Sequence, residues 1–121
     1  MKGVGIDAVD VARFRQVLER RPAIRQRLFT DIELDSLSKR NDPTASLAAR
    51  FAVREATMKA LGVGLGAFDF KDVWVENLSS GAPTLQVTGR AQEIATSQGV
   101  TQFHVSITHT ETVAMAVVAA L

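Results

Sequence analysis

The chain contains no cysteine. That excludes disulfides, thiolate zinc sites and cysteine nucleophiles, and it fits a cytoplasmic protein. No run approaches ~18 consecutive apolar residues, so no transmembrane helix is expected. The opening MKGVGIDAVD has too short an apolar run, and turns acidic too soon, for a secretory signal. No H-x-H or H-E-x-x-H pattern occurs, which argues against a histidine metal centre, and no G-K-[ST] occurs, which excludes a Walker A loop. Internal repeats and low-complexity segments are missing as well. What is there is 121 residues, 46% hydrophobic and 22% charged. That is one domain, 1–121, with apolar material for a small core that gains from oligomerisation.

The net charge of +1 conceals an asymmetry. Between residues 13 and 27 lie six arginines, Arg13, Arg15, Arg20, Arg21, Arg25 and Arg27, against Glu19 alone. The segment carries +5, leaving −4 for the remainder of a chain whose total is +1. Such a patch suits an acidic partner (nucleic acid, phosphorylated ligand or acidic protein) or is simply a solvated helix face. Nucleic acid fits least well, because the segment's one aromatic, Phe14, lies on its apolar side and gives no stacking platform.

Residues 2–9, KGVGIDAV, alternate with a period of two and predict a strand. Asp10 is placed to cap a helix whose apolar positions Val11, Phe14 and Leu18 follow i, i+3, i+7; Pro22 breaks it. Thr30 and Glu33 have capping-box spacing, so a short helix is expected there. Asn-Asp-Pro marks the next turn, and Thr44 is the expected N-cap of a long helix running to about Leu61 and closed by Gly62. Gly62, Gly64 and Gly66 then form a loop. VWVEN (73–77) and TLQVT (84–88) predict a hairpin, residues 90–98 a short helix, and FHVSITH and VAMAVVAAL two final strands joined at TET. Long helices with antiparallel strands and no regular βαβ alternation point to an α+β fold.

The long helix raises the sharpest question. At 100° per residue, with Leu47 at zero, Met58 falls at about 20°, Phe51 at about 40° and Ala48 at about 100°. Glu55 falls at about 80°, inside that apolar stripe. Burying an ionised carboxylate costs several kcal/mol unless a partner offsets it, so Glu55 needs a cation. Lys59, at i+4, is one candidate and a metal ion is the other. Arg54 falls at about −20°, and Ala49, Val53, Ala56 and Ala60 cover the far side. The helix is apolar nearly all round and is expected to be central and enclosed.

Three further features carry possible chemistry. Asp7, near the end of the first strand, is either a turn or cap residue or a functional side chain. KALGVGLG sets a lysine before spaced glycines, which suits phosphate oxygens as well as a plain helix C-cap. His109 in SITHT is structural, or donates to phosphate or moves a proton. Asp7 and Glu55 lie on core elements able to meet. Two carboxylates with water and phosphate oxygens are a usual way to hold Mg²⁺, and Lys59 would neutralise remaining phosphate charge. The residues alone point to a Mg²⁺-dependent phosphate or diphosphate site and name no substrate.

Three blocks carry a resemblance. GVGIDAVDVARF is similar to a G-x-G-x-D opening, RFAVREATMKALGVGLG to R-F-A-x-K-E-A-x-x-K-A-x-G, and HVSITHTETVAMAVV to a closing V-S-[IL]-[ST]-H hairpin. LFTDIEL and GAPTLQVTG are lesser matches. Over nearly its whole length the chain resembles the small bacterial holo-acyl-carrier-protein synthases, the trimeric class of 4′-phosphopantetheinyl transferases. The resemblance implies a mainly antiparallel sheet packed around the long central helix. It implies transfer of phosphopantetheine from coenzyme A to a serine of an apo acyl carrier protein or carrier domain, in fatty acid biosynthesis, with adenosine 3′,5′-bisphosphate released. By position it implies Asp7 and Glu55 as Mg²⁺ ligands and Lys59 at the diphosphate. It implies Gly62, Gly64, Pro83, His109 and Thr110 around the nucleotide end of coenzyme A, and Arg13, Arg20 and Arg21 in carrier docking. A homotrimer with sites between subunits follows from the same likeness. The serine proton is left to Asp7 or to a metal-held water. The alternative is a non-catalytic trimeric module binding carriers or nucleotides, with Asp7 and Glu55 structural. Two positions depart from the pattern: Arg54 replaces the usual lysine, and Val63 a frequent threonine.

Overall fold

The alternation in GVGIDAVD becomes strand β1 (Gly3–Asp10) in the computed structural model, which describes residues 1–121. Helix α1 (Val11–Arg20) follows without a loop. Asp10 is both the last strand residue and the helix cap, its side chain accepting from the Arg13 N–H at 3.0 Å. The expected stripe of Val11, Phe14 and Leu18 is buried. Beyond Pro22 come the short helices α2 (Ile24–Leu28) and α3 (Asp31–Leu37). The capping box at the start of α3 is present: Glu33 N–H donates to Thr30 Oγ1 at 3.2 Å, and Thr30 N–H donates to Glu33 Oε1 at 2.9 Å.

Helix α4 (Thr44–Ala60) is the enclosed centre of the molecule, buried from Leu47 and Ala48 to Met58 and Ala60. Its start corrects one expectation. Thr44 is the first helical residue and Pro43 the cap residue, which has no side-chain acceptor. Asp42 Oδ1 supplies the cap instead, accepting from the Thr44 N–H at 3.1 Å. At the other end Gly62 takes φ +69° and turns the chain off the helix, as its position predicts.

A single 3₁₀ turn (Phe70–Asp72) leads into the hairpin β2 (Val73–Asn77) and β3 (Pro83–Val87), then helix α5 (Gly89–Ser97) and strands β4 (Phe103–His109) and β5 (Val113–Ala120). The last strand is the middle one: the main sheet has the order β1-β5-β4, antiparallel throughout, with Gly3 opposite Ala120. The hairpin β2–β3 is a separate two-stranded sheet. The fold is α+β.

Helix α4 lies across one face of the main sheet. A Cβ on Gly3 would stand 2.0 Å from the Ala60 carbonyl oxygen, and one on Gly5 1.9 Å from that of Ala56. Only glycine lets strand and helix backbones come so close. One core cluster joins α4 to the sheet, β2 and α5 through Val53, Ala56, Val73 and Val118; a second joins α4 to α1–α3 through Phe14, Leu18, Phe29 and Leu47. The opposite face of the sheet is uncovered; over β1 and β5 it is apolar, with Val4 57% and Ile6 55% exposed beside Met115 and Val117, and over β4 it is polar, with His104, Ser106 and Thr108. No helix is long and apolar enough to cross a membrane.

Candidate active site

Strand alternation turns Gly3, Gly5 and Asp7 towards α4, and the two glycines bring that helix within reach of the carboxylate. Lys59 Nζ donates to the Ile6 carbonyl at 2.9 Å and to Asp7 Oδ1 at 3.3 Å. The ion pair of Lys59 is therefore with Asp7 and not with Glu55, the partner its i+4 spacing suggests. The strand offers the ammonium a backbone carbonyl and a carboxylate side by side.

Glu55 is half-buried and has neither a hydrogen bond nor an ion pair in the chain. Burial pushes its carboxyl above the ordinary 4.5; the negative charge of Asp7 pushes it further, and Lys59 pulls the other way. Asp7 and Glu55 line one cleft of about 610 Å³, together with Arg13 and an aromatic floor of Phe14, Phe51 and Phe70. The floor rings form a continuous stack, with centroids 5.4 Å apart for Phe14–Phe51 and 5.9 Å for Phe51–Phe70. No group of three or more His, Cys, Asp or Glu side chains gathers anywhere in the chain. Two mutually repelling carboxylates in a cleft fit Mg²⁺, which uses one or two carboxylates and leaves its other positions to water and phosphate.

Arg54 touches neither this cleft nor Glu55. It is 0% exposed, and its partner Glu33 is 1% exposed. Its Nη1 and Nη2 donate to the two Glu33 oxygens at 2.9 and 2.5 Å, and its Nε donates to the Phe70 carbonyl at 2.7 Å. The departure from lysine thus sits on the hidden side of α4. The capping-box reading of Glu33 overlooked this second role. The signal was available: an arginine in an otherwise apolar helix needs a buried acid.

Residues 3–118 match the model of the 4′-phosphopantetheinyl transferase superfamily. The chain belongs to that superfamily. It is 47% identical to a holo-[acyl-carrier-protein] synthase of Streptomyces avermitilis over 119 residues, 98% of this chain and 95% of that one. The structure superposes on a holo-[acyl-carrier-protein] synthase of Neisseria meningitidis with a TM-score of 0.91 at 28% identity, covering 100% of this chain and 98% of the other. A Helicobacter pylori synthase solved in complex with coenzyme A gives a TM-score of 0.80 at 26% identity, covering 98% and 99%.

The remaining residues that the resemblance singles out in this transferase-superfamily chain are spread over its surface. Gly62 and Gly64 leave α4 into open space, with nothing within 4 Å of an added Cβ, and the same loop carries Leu65 to the lip of the cleft. Pro83 lines a separate crevice of about 340 Å³ beside His104. His109 is exposed at the end of β4, and Thr110 Oγ1 closes the β4–β5 turn, accepting from Thr112 and Val113 N–H at 3.2 and 3.1 Å. Within one chain, Pro83, His109 and Thr110 do not line the Asp7–Glu55 cleft. Arg13 does, while Arg20 and Arg21 are exposed along and just beyond α1. Arg15 is occupied by Asp42 at 2.6 Å. Sequence reasoning also passed over Arg50, whose buried Nε has no hydrogen-bond partner and whose guanidinium is depressed chiefly by burial.

Proposed function

We propose that this chain transfers 4′-phosphopantetheine from coenzyme A to a serine of an apo acyl carrier protein or carrier domain, releasing adenosine 3′,5′-bisphosphate. The observation that carries the reading is Glu55: a half-buried carboxylate without a cation of its own, facing Asp7 in a cleft edged by Arg13. Asp7 and Glu55 are the residues that would hold Mg²⁺, which when bound neutralises the diphosphate and makes its phosphorus more electrophilic. In the transfer a bond forms between the serine oxygen and the phosphorus next to the pantetheine. The bond from that phosphorus to the oxygen of the departing nucleotide breaks. Lys59, already held beside Asp7, supplies positive charge where the leaving oxygen becomes negative. The serine proton is taken up in the same cleft, where Asp7 Oδ2 carries no hydrogen bond. The nucleophile comes from the partner, so no internal serine–histidine pair is needed.

The arginines along and after α1 face an acidic carrier in this reading, with Arg13 next to the cleft and Arg20 and Arg21 further out. Gly62, Gly64, Pro83, His109 and Thr110 serve the nucleotide end of coenzyme A. The dispersal of the last three in one chain favours sites completed by a second subunit. The bare patch of Val4, Ile6, Met115 and Val117 suits a subunit interface, which the resemblance makes that of a homotrimer. A chain without cysteine suits the reducing cytoplasm.

The test is direct. Incubated with coenzyme A, Mg²⁺ and apo carrier proteins, the purified protein yields carrier heavier by one phosphopantetheine arm; unchanged carrier mass across several carriers overturns the reading. Sedimentation at micromolar concentration checks the trimer, and Ile6→Lys on the bare face is expected to dissociate it.

A further inference from the structure

Arg54 immediately precedes Glu55, yet its side chain leaves α4 about 100° round the helix, on the buried side. There one guanidinium braces two of the cleft's walls from behind, one through Phe70 and one through Phe29. It holds both oxygens of Glu33, at the start of α3. Its Nε holds the carbonyl of Phe70, whose ring lines the cleft. Nη1 also donates to the Arg50 carbonyl of α4 at 3.3 Å. The group stacks 5.1 Å over the ring of Phe29, which packs edge-on at 6.3 Å against Phe14 of the cleft floor. Three segments distant in sequence thus meet at one planar, fully buried group.

We propose that Arg54 is a positioning residue: with Glu33 it fixes the α1–α2 wall and the Phe70 wall of the cleft relative to Asp7 and Glu55, and so sets how well the carrier protein seats. The inference rests on the transferase reading above. A plain stability role accounts for the pair poorly. A buried ion pair is weak support for stability compared with apolar side chains of the same volume. What the guanidinium provides is direction, because its donors point in a rigid plane at two carboxylate oxygens and a carbonyl. A lysine keeps the charge at this place but leaves that plane undefined. The cleft walls then shift without unfolding, and the loss falls on the partner that touches them. The carboxylates of Asp7 and Glu55 stand on β1 and α4, outside the Arg54 contacts, so the hold on the diphosphate of coenzyme A is affected little.

The experiment compares wild type with Arg54→Lys, which keeps the buried charge, and with Glu33→Gln, which keeps the capping box but leaves the buried guanidinium without its counter-charge and is compared only as folded protein. The expected result is a rise of about tenfold in KM for the apo carrier, with kcat and the KM for coenzyme A within about twofold. Hydrogen exchange provides the readout independent of activity. Amides of residues 24–37 and 70–72 should exchange about tenfold faster while those of α4 and β5 stay unchanged. An unchanged carrier KM in a folded variant overturns the inference, as does exchange that quickens evenly over the whole chain. Should wild type transfer nothing, the transferase reading fails alone, and the exchange pattern still decides whether Arg54 positions the walls.

Discussion

Lys59 and Asp7, 52 positions apart in sequence, meet at 3.3 Å through Nζ and Oδ1. The contact joins the first strand to the last turn of the central helix, and it leaves Glu55 beside them without a partner. Charge is thereby divided unevenly: one acid is neutralised inside the chain, and the other is open to an outside cation.

Removing the ammonium separates chemistry from stability. The Lys59 side chain is 55% exposed, so Lys59→Met should change stability by less than about 1 kcal/mol. Turnover is expected to fall about 100-fold, as when one group facing developing negative charge is lost. Single-turnover carrier labelling and a denaturant titration of the same variant check both halves.

The pH response of Glu55 has a definite sign. Its folded-state carboxyl titrates above the ordinary 4.5, with burial the leading cause. The native state then binds the proton more tightly than the unfolded chain. Stability is gained as pH falls through the raised value and lost as pH rises from 4.5 past it. Thermal midpoints of Glu55→Gln should therefore rise relative to wild type across that window. At neutral pH, Mg²⁺ should raise the midpoint of wild type and leave that of Glu55→Gln unmoved, because only a site binding the native state shifts it. An equal shift in both proteins removes Glu55 from the metal site.

Two glycines with opposite surroundings provide a paired test. A methyl on Gly5 meets the Ala56 carbonyl oxygen at 1.9 Å and the Ala60 nitrogen at 2.7 Å, both backbone atoms. Gly5→Ala is expected to cost about 3 kcal/mol or more. A methyl on Gly64 meets nothing within 4 Å, and Gly64→Ala should hold its denaturant midpoint.

The arginine face is expected to act at long range. Arg20→Glu with Arg21→Glu should slow carrier association about tenfold at low salt, with the difference shrinking as salt rises, while kcat at saturating carrier is retained. Stopped-flow association at several ionic strengths decides this.

What the chain disclosed in advance was mostly local. The Thr30–Glu33 box, the stripe of Val11, Phe14 and Leu18, and the Gly62 exit all depend on residues within two turns of one another, and each appears in place. Partners far apart in sequence were another matter. A helical wheel offers Lys59 to Glu55 as one candidate cation and cannot show Asp7 on the strand lying across the helix. Glu33 was already accounted for by its cap, so the demand of Arg54 for an acid found no addressee. Thr44 has the usual kind of capping hydroxyl, but the helix begins one residue earlier than that role requires, and Asp42 accepts from the Thr44 N–H instead. The cleft itself is made by β1, α1, α2, α4, Leu65 and Phe70 together, and no single stretch of residues announces it.

The middle position of β5 also constrains how the molecule comes into being. The other ten elements precede it in the chain, yet β1 and β4 have no partner in the main sheet except β5. On the ribosome, α4 waits with its sheet-facing alanines bare while the first strand remains unpaired. Joining Gly3 to Ala120 closes a very long loop, a topology that folds slowly. The nascent chain should therefore depend on chaperone shelter until its final strand emerges.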